Sequence, residues 1–129
     1  MPHYTKLTPN LIVANVERSL AFYVDILGFE RGLTVPDESP FAFASVTSGA
    51  VEIFLNDAAA AIEEYPAFAG KPIGATGTLF IEMQGVDALH ERIKSSVKVV
   101  MPLATKFYGM REFAIEDPDR YVLTFAERV

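Results

Sequence analysis

The residues able to do chemistry are few, and most of them are carboxylates. Glu52 and Glu82 each stand in a short run of strand character, "AVEIFLN" and "TLFIEMQ", and two carboxylates are what a general acid–base pair needs. Nothing in their spacing requires that use. Glu112 lies in a third such run, "YGMREFAI". Glu82 and Glu112 each read more readily as a ligand contact, an ion-pair member or a rim charge than as a metal ligand. The chain has 2 histidines, His3 and His90. His3 precedes the first strand-like run. His90 sits beside Glu91 in a helical stretch and reads as a structural or solvated residue. The serines lack a positioned His and Asp, and no glycine-rich phosphate loop is present. With 0 cysteines there is no disulfide, no thiolate metal site and no thiol nucleophile.

Composition sets the frame around these groups. The 129 residues are enough for one domain with a real core, and 50% of them are apolar, so the chain is globular. No apolar run approaches the roughly 20 residues that span a membrane, and the first residues lack a signal-peptide pattern. A soluble, cytoplasmic protein is the expectation. The net charge of −6 and pI near 4.8 argue against nucleic acid, whose binding rests on Lys and Arg neutralising phosphates. The same balance permits a cationic ligand without requiring one.

The elements that must position the carboxylates follow from periodicity. Leu7 to Ala14 reads as a strand. Asn15 is an N-cap, and Val16, Leu20, Tyr23, Val24 and Leu27 recur at helical spacing before Gly28 at the C′ position. Strand-like runs follow at Phe29 to Val35, Phe41 to Thr47 and Ala50 to Asn56, punctuated by "PDESP" and Ser48-Gly49. Residues 58–75 read as a linker, with a helical turn or two over Ala58 to Tyr65. Then the order restarts: strand Thr78 to Gln84, helix Val86 to Lys94, and strands Val97 to Thr105, Tyr108 to Ile115 and Tyr121 to Ala126. Strand, helix, three strands is written twice. A shift of 70 residues (8 + 70 = 78) lays Thr8 on Thr78 and Leu11 on Ile81.

Strand alternation assigns the faces. Pro9, Leu11 and Val13 share one face, and Leu79, Ile81 and Met83 share its counterpart; both are apolar and belong under a helix. The opposite faces, Thr8, Asn10 and Ile12 in the first and Thr78, Phe80 and Glu82 in the second, are mixed. A mixed face repeated in both halves points to curved sheets enclosing a cup wet enough for a ligand.

Two motifs then carry a resemblance. "PNLIVANVERSLAFYVDILGFE" (Pro9 to Glu30) and "YGMREFAIEDPDRYVLTFAE" (Tyr108 to Glu127) resemble the opening and closing signatures of the vicinal oxygen chelate superfamily, the glyoxalase, bleomycin-resistance and dioxygenase group. The resemblance covers nearly the whole chain. It implies an α+β fold of paired βαβββ modules in a cup-shaped eight-stranded mixed sheet: one domain over residues 1–129, with module 1 about 5–57, the linker 58–75 and module 2 about 76–129. It also implies a homodimer with its sites near the subunit interface. One departure concerns the turn. The family's usual Asp-Pro-Asp-Gly is here Asp117-Pro118-Asp119-Arg120. A side chain disfavours positive φ, so the turn either avoids that region or is mildly strained, and Arg120 is expected to face solvent.

Metal-dependent members of the superfamily place four ligands on the first and last strands of the modules. Carried over, those positions fall on Thr8, Glu52, Thr78 and Thr124, with Ile53 the alternative to Glu52. Three neutral hydroxyls and one carboxylate make a poor set for a catalytic divalent ion. The resemblance is therefore closest in character to metal-free, bleomycin-resistance-like members, with no cofactor. Such a protein sequesters a planar or cationic small molecule against Asn10, Phe41, Phe43, Glu52, Phe54, Phe80, Glu82, Tyr108, Arg111 and Phe113. Aromatic walls with a few polar groups suit that ligand class. Phenylalanine on a strand is also ordinary core, and the sequence leaves the direction of Arg111 open. The alternative is a metal-dependent glyoxalase-like lyase, isomerase or dioxygenase.

Overall fold

A computed structural model describes residues 2–74 and 76–129. Met1 and Ala75, the last residue of the expected linker, lie outside the described residues. The chain divides into two compact units, Met1–Pro72 and Ile73–Val129. Each carries one strand, one helix and three further strands, and each builds its own four-stranded mixed sheet. The eight expected strands are thus present as two sheets of four. Among the described residues no helix is long and apolar enough to cross a membrane.

In the first unit, β1 (Asn10–Val13) pairs in parallel with β4 (Val51–Asp57), which pairs antiparallel with β3 (Phe43–Ser48), and that with β2 (Glu30–Val35). Leu11, Val13, Ala44, Val46, Ile53 and Leu55 alternate onto one face and are buried there. Helix α1 (Val16–Leu20) packs against β3 and β4. Its N-terminus is capped by the Asn15 side chain, which accepts from the Arg18 N–H at 2.7 Å. Beyond Leu20 the helix widens into a π-helical turn, Ala21–Ile26, where periodicity had predicted a continuous α-helix to Leu27. The wider turn buries the adjacent rings of Phe22 and Tyr23 together, edge-on at 5.2 Å between centroids. Gly28 ends it at φ 82°, so that its N–H and that of Phe29 turn back to the Val24 and Tyr23 carbonyls.

The expected linker is mostly ordered structure within the first unit. Asp57 caps helix α2 (Ala58–Glu64), its Oδ2 accepting from the Ala60 N–H at 3.3 Å, and a 3₁₀ turn follows at Pro66–Phe68. Ala61 is buried as α2 packs on β1 and β4. Four consecutive alanines favour a helix strongly enough to outweigh the breakers that follow.

The second unit repeats the plan. β5 (Thr78–Glu82) runs parallel to β8 (Val122–Arg128), followed in the sheet by β7 (Met110–Glu116) and β6 (Lys98–Thr105). The pairing of β7 with β8 is unbroken, whereas both register shifts between β6 and β7 insert a residue on β6. Helix α3 (Val86–Ile93) has Gly85 as its N-cap residue, which brings no side chain. Glu127, from β8, supplies the missing acceptor: its Oε1 takes the Val86 N–H at 3.0 Å.

The turn before β8 does not avoid the left-handed region. Arg120 sits at φ 71° with its side chain in solvent. Asp117 Oδ1 holds the turn, accepting from the N–H groups of Asp119 at 2.8 Å and Tyr121 at 2.9 Å. Left-handed backbone costs a residue with a Cβ about 1–2 kcal/mol, and glycine returns part of that as unfolded-state entropy. Arg120→Gly is therefore expected to stabilise the protein by about 0.5–1 kcal/mol, read as a higher urea midpoint with an unchanged slope.

Candidate functional site

Each sheet has a helix-covered face and an opposite face, and the registers say which side chains share the latter. In the first unit, Asn10 stands level with Phe54, Phe43 with Asn56, and Thr47 with Glu52. The rings of Phe43 and Phe54 meet at 5.1 Å between centroids, inclined by 61°. The Asn56 amide donates to the Asn10 side-chain oxygen. Lys6 pairs with Glu52, Nζ to Oε1 at 2.6 Å. Continuing the β1–β4 register two residues back brings Thr8 level with Glu52, and the Phe54 N–H to Pro9 carbonyl bond at 2.9 Å supports that alignment.

Phe41 lies elsewhere. Its N–H donates to Glu17 Oε2 on α1 at 2.8 Å, and the Arg31 guanidinium covers its ring at 4.8 Å from the centroid. It lines a cleft of about 240 Å³ with Leu20, Ala21, Val24 and Asp25, beside the helix. The Ser39 hydroxyl and the Phe41 N–H, both donating to Glu17, hold that carboxyl below its usual range.

In the second unit, the face opposite the helix is laid out in rows across the strands. Phe80, Thr124, Ala114 and Met101 form one row; Glu82, Ala126, Glu112 and Ala104 form the next. Phe80 is half exposed, and Glu82 is exposed. Thr78 and Thr124 share a hydrogen bond of 2.8 Å between their hydroxyls, and Thr78 donates to the Val122 carbonyl at 3.0 Å. Glu112 is buried, and its Oε2 has no hydrogen-bond partner among the described residues.

Tyr108 lies half exposed in the turn between β6 and β7. Hydrogen bonding with Glu112 first, then desolvation and the charge of Glu112, hold its phenol above the usual value. Glu112→Gln removes the anion from this contact, so Tyr108 is expected to ionise at lower pH in the variant. An ultraviolet difference titration of phenolate formation in the two proteins checks the shift.

Two expected site residues belong to the other face. Arg111 turns toward α3, pairing with Asp87 Oδ1 at 2.7 Å and donating to the Thr105 hydroxyl at 3.2 Å. Phe113 is 0% exposed and packs beneath the same helix, 4.9 Å from the His90 ring and 5.4 Å from Phe125. Alternation along an unbroken β7 puts both opposite Glu112. His90 is accordingly a partly buried packing residue. The structure thus brings Asn10, Phe43, Glu52 and Phe54 onto the helix-free face of the first sheet, and Phe80 and Glu82 onto that of the second, with Tyr108 at the β6–β7 turn. It separates Phe41, Arg111 and Phe113 from them.

The donors at the four family metal positions do not fit a divalent ion. Glu52 is engaged by an ammonium group, and Thr78 and Thr124 spend their hydroxyls on each other and on a carbonyl. Among the described residues no group of three or more His, Cys, Asp or Glu is placed to hold a metal.

The profile of the Glyoxalase/Bleomycin resistance protein/Dioxygenase superfamily matches residues 1–125. The chain belongs to that superfamily. It is 29% identical over 131 aligned residues to bleomycin resistance proteins of Geobacillus stearothermophilus and Staphylococcus aureus, covering 94% of this chain and 95% of each relative. Among solved structures, the bleomycin-binding protein of Streptomyces verticillus complexed with copper(II)-bleomycin superimposes with a TM-score of 0.64 at 26% identity over 97% of both chains. A protein of unknown function from Agrobacterium tumefaciens superimposes with a TM-score of 0.80 at 23% identity over 100% of this chain and 98% of that one. This second likeness concerns the fold alone.

Proposed function

We infer that the protein binds a planar or cationic small molecule on the sheet faces opposite its helices, without a metal, in the manner its bleomycin-resistance relatives suggest. The observation that carries this reading is the state of the family metal positions. Lys6 neutralises Glu52, and Thr78 and Thr124 close on each other, yet the same faces keep aromatic side chains accessible. Phe43, Phe54 and Phe80 offer ring surface for stacking, and the acidic balance of the chain favours a cation. A homodimer with the site near its interface is part of the same reading.

The test is a thermal-shift panel on protein treated with chelator and dialysed. Copper(II)-bleomycin and planar aromatic cations are expected to raise the melting temperature in proportion to ligand excess over Kd. A flat response to every member, or a response that appears only when nickel, zinc, manganese or iron is restored, would sink the reading.

A further inference from the structure

Glu112 is the least explained polar group in the second unit. It is 3% exposed, and its Oε2 is unpartnered among the described residues. A buried carboxylate left with unused acceptor capacity is costly and asks for a donor. Tyr108 sits half exposed in the β6–β7 turn next to Gly109 at φ 85°. The setting of Glu112 is equally specific. Its register neighbours are Ala126 on one side and Ala104 on the other, and beyond Ala126 comes Glu82. Small side chains therefore flank the acid, and Glu82 and Glu112 stand on strands two spacings, roughly 10 Å, apart. Thr124 and the half-exposed Phe80 occupy the adjacent row.

We propose that Glu112 is the cation acceptor of this face, receiving an amidinium or guanidinium group carried on a planar body that packs against the half-exposed Phe80. Such a group offers N–H donors in a plane, the arrangement that a carboxylate recognises best. Glu82, exposed at the far end of the row, adds attraction at the rim. The inference rests on the reading of this face as a small-molecule site and names the chemistry it selects.

Benzamidinium and its neutral counterpart benzamide separate the two ideas when titrated by NMR into the whole protein, Glu112→Gln and Glu82→Gln. Copper(II)-bleomycin is titrated into the same samples. The native protein is expected to prefer benzamidinium by about tenfold or more, the size of a charge-assisted hydrogen bond. Glu112→Gln should erase that preference with a native-like spectrum, and Glu82→Gln should reduce it only in part. A preference that survives Glu112→Gln, or no preference in the native protein, overturns the proposal. If copper(II)-bleomycin then binds the native protein and Glu112→Gln alike, the binding reading stands and only the assignment of Glu112 falls. If neither probe nor copper(II)-bleomycin binds, both fall.

Discussion

Phe113→Ala is expected to cost about 3–5 kcal/mol of folding stability, the range for truncating a fully buried aromatic. The ring is 0% exposed, clasped between His90 on α3 and Phe125 on β8. It links the helix to the sheet, and the cavity left by truncation has rigid strand on one side. Phe113→Leu keeps most of the volume and should cost less than about 1.5 kcal/mol. Urea denaturation of the two variants gives both numbers. A loss well under 1 kcal/mol for the alanine variant, with impaired ligand binding, would return Phe113 to the ligand-contacting role that its residue type alone suggests.

Asp117→Ala should cost about 2–4 kcal/mol, because it strands two backbone donors at once. Asp117 and Asp119 are each 4% exposed, so the freed N–H groups of Asp119 and Tyr121 find water poorly. The turn is also crowded from below. Gly74 sits at φ 98°, and a Cβ there would meet the Asp119 carbonyl at 2.8 Å. The loop thus has little room to rearrange. Asp117→Asn keeps one acceptor oxygen and should lose less than half as much. Denaturation midpoints rank the variants, and amide exchange at Asp119 and Tyr121 locates the damage. Full protection of those amides in Asp117→Ala would contradict this account of the turn.

These two residues show what the sequence discloses and what it hides. Element order was readable because period and punctuation agreed twice, and most strand boundaries differ from the observed ones by one or two residues. The exceptions have physical causes. The π-helical turn after Leu20 depends on how Phe22 and Tyr23 pack, which no one-dimensional period records. Helix α2 hides in a stretch rich in breakers, although Asp57 and the alanine run announce it.

For the site, residue type misled where alternation would have helped. Tyr108, Arg111 and Phe113 cannot all serve one face of a regular strand, since Arg111 and Phe113 stand in phase with each other and out of phase with Glu112. Glu112 was visible as a carboxylate on the seventh strand. Only its burial and its unpartnered oxygen single it out. The Lys6–Glu52 pair joins residues 46 apart in sequence, and the Thr78–Thr124 bond does the same. Threonine hydroxyls are weak metal ligands wherever they stand. In the structure the side chains of Glu52, Thr78 and Thr124 are further engaged by those pairings.

The most direct measurement is metal occupancy after equilibrium dialysis against nickel, zinc, manganese and iron, read by elemental analysis beside Glu52→Gln. No stoichiometric ion is expected in the native protein, and no difference from the variant. One tightly held ion per chain, lost in Glu52→Gln, would contradict it.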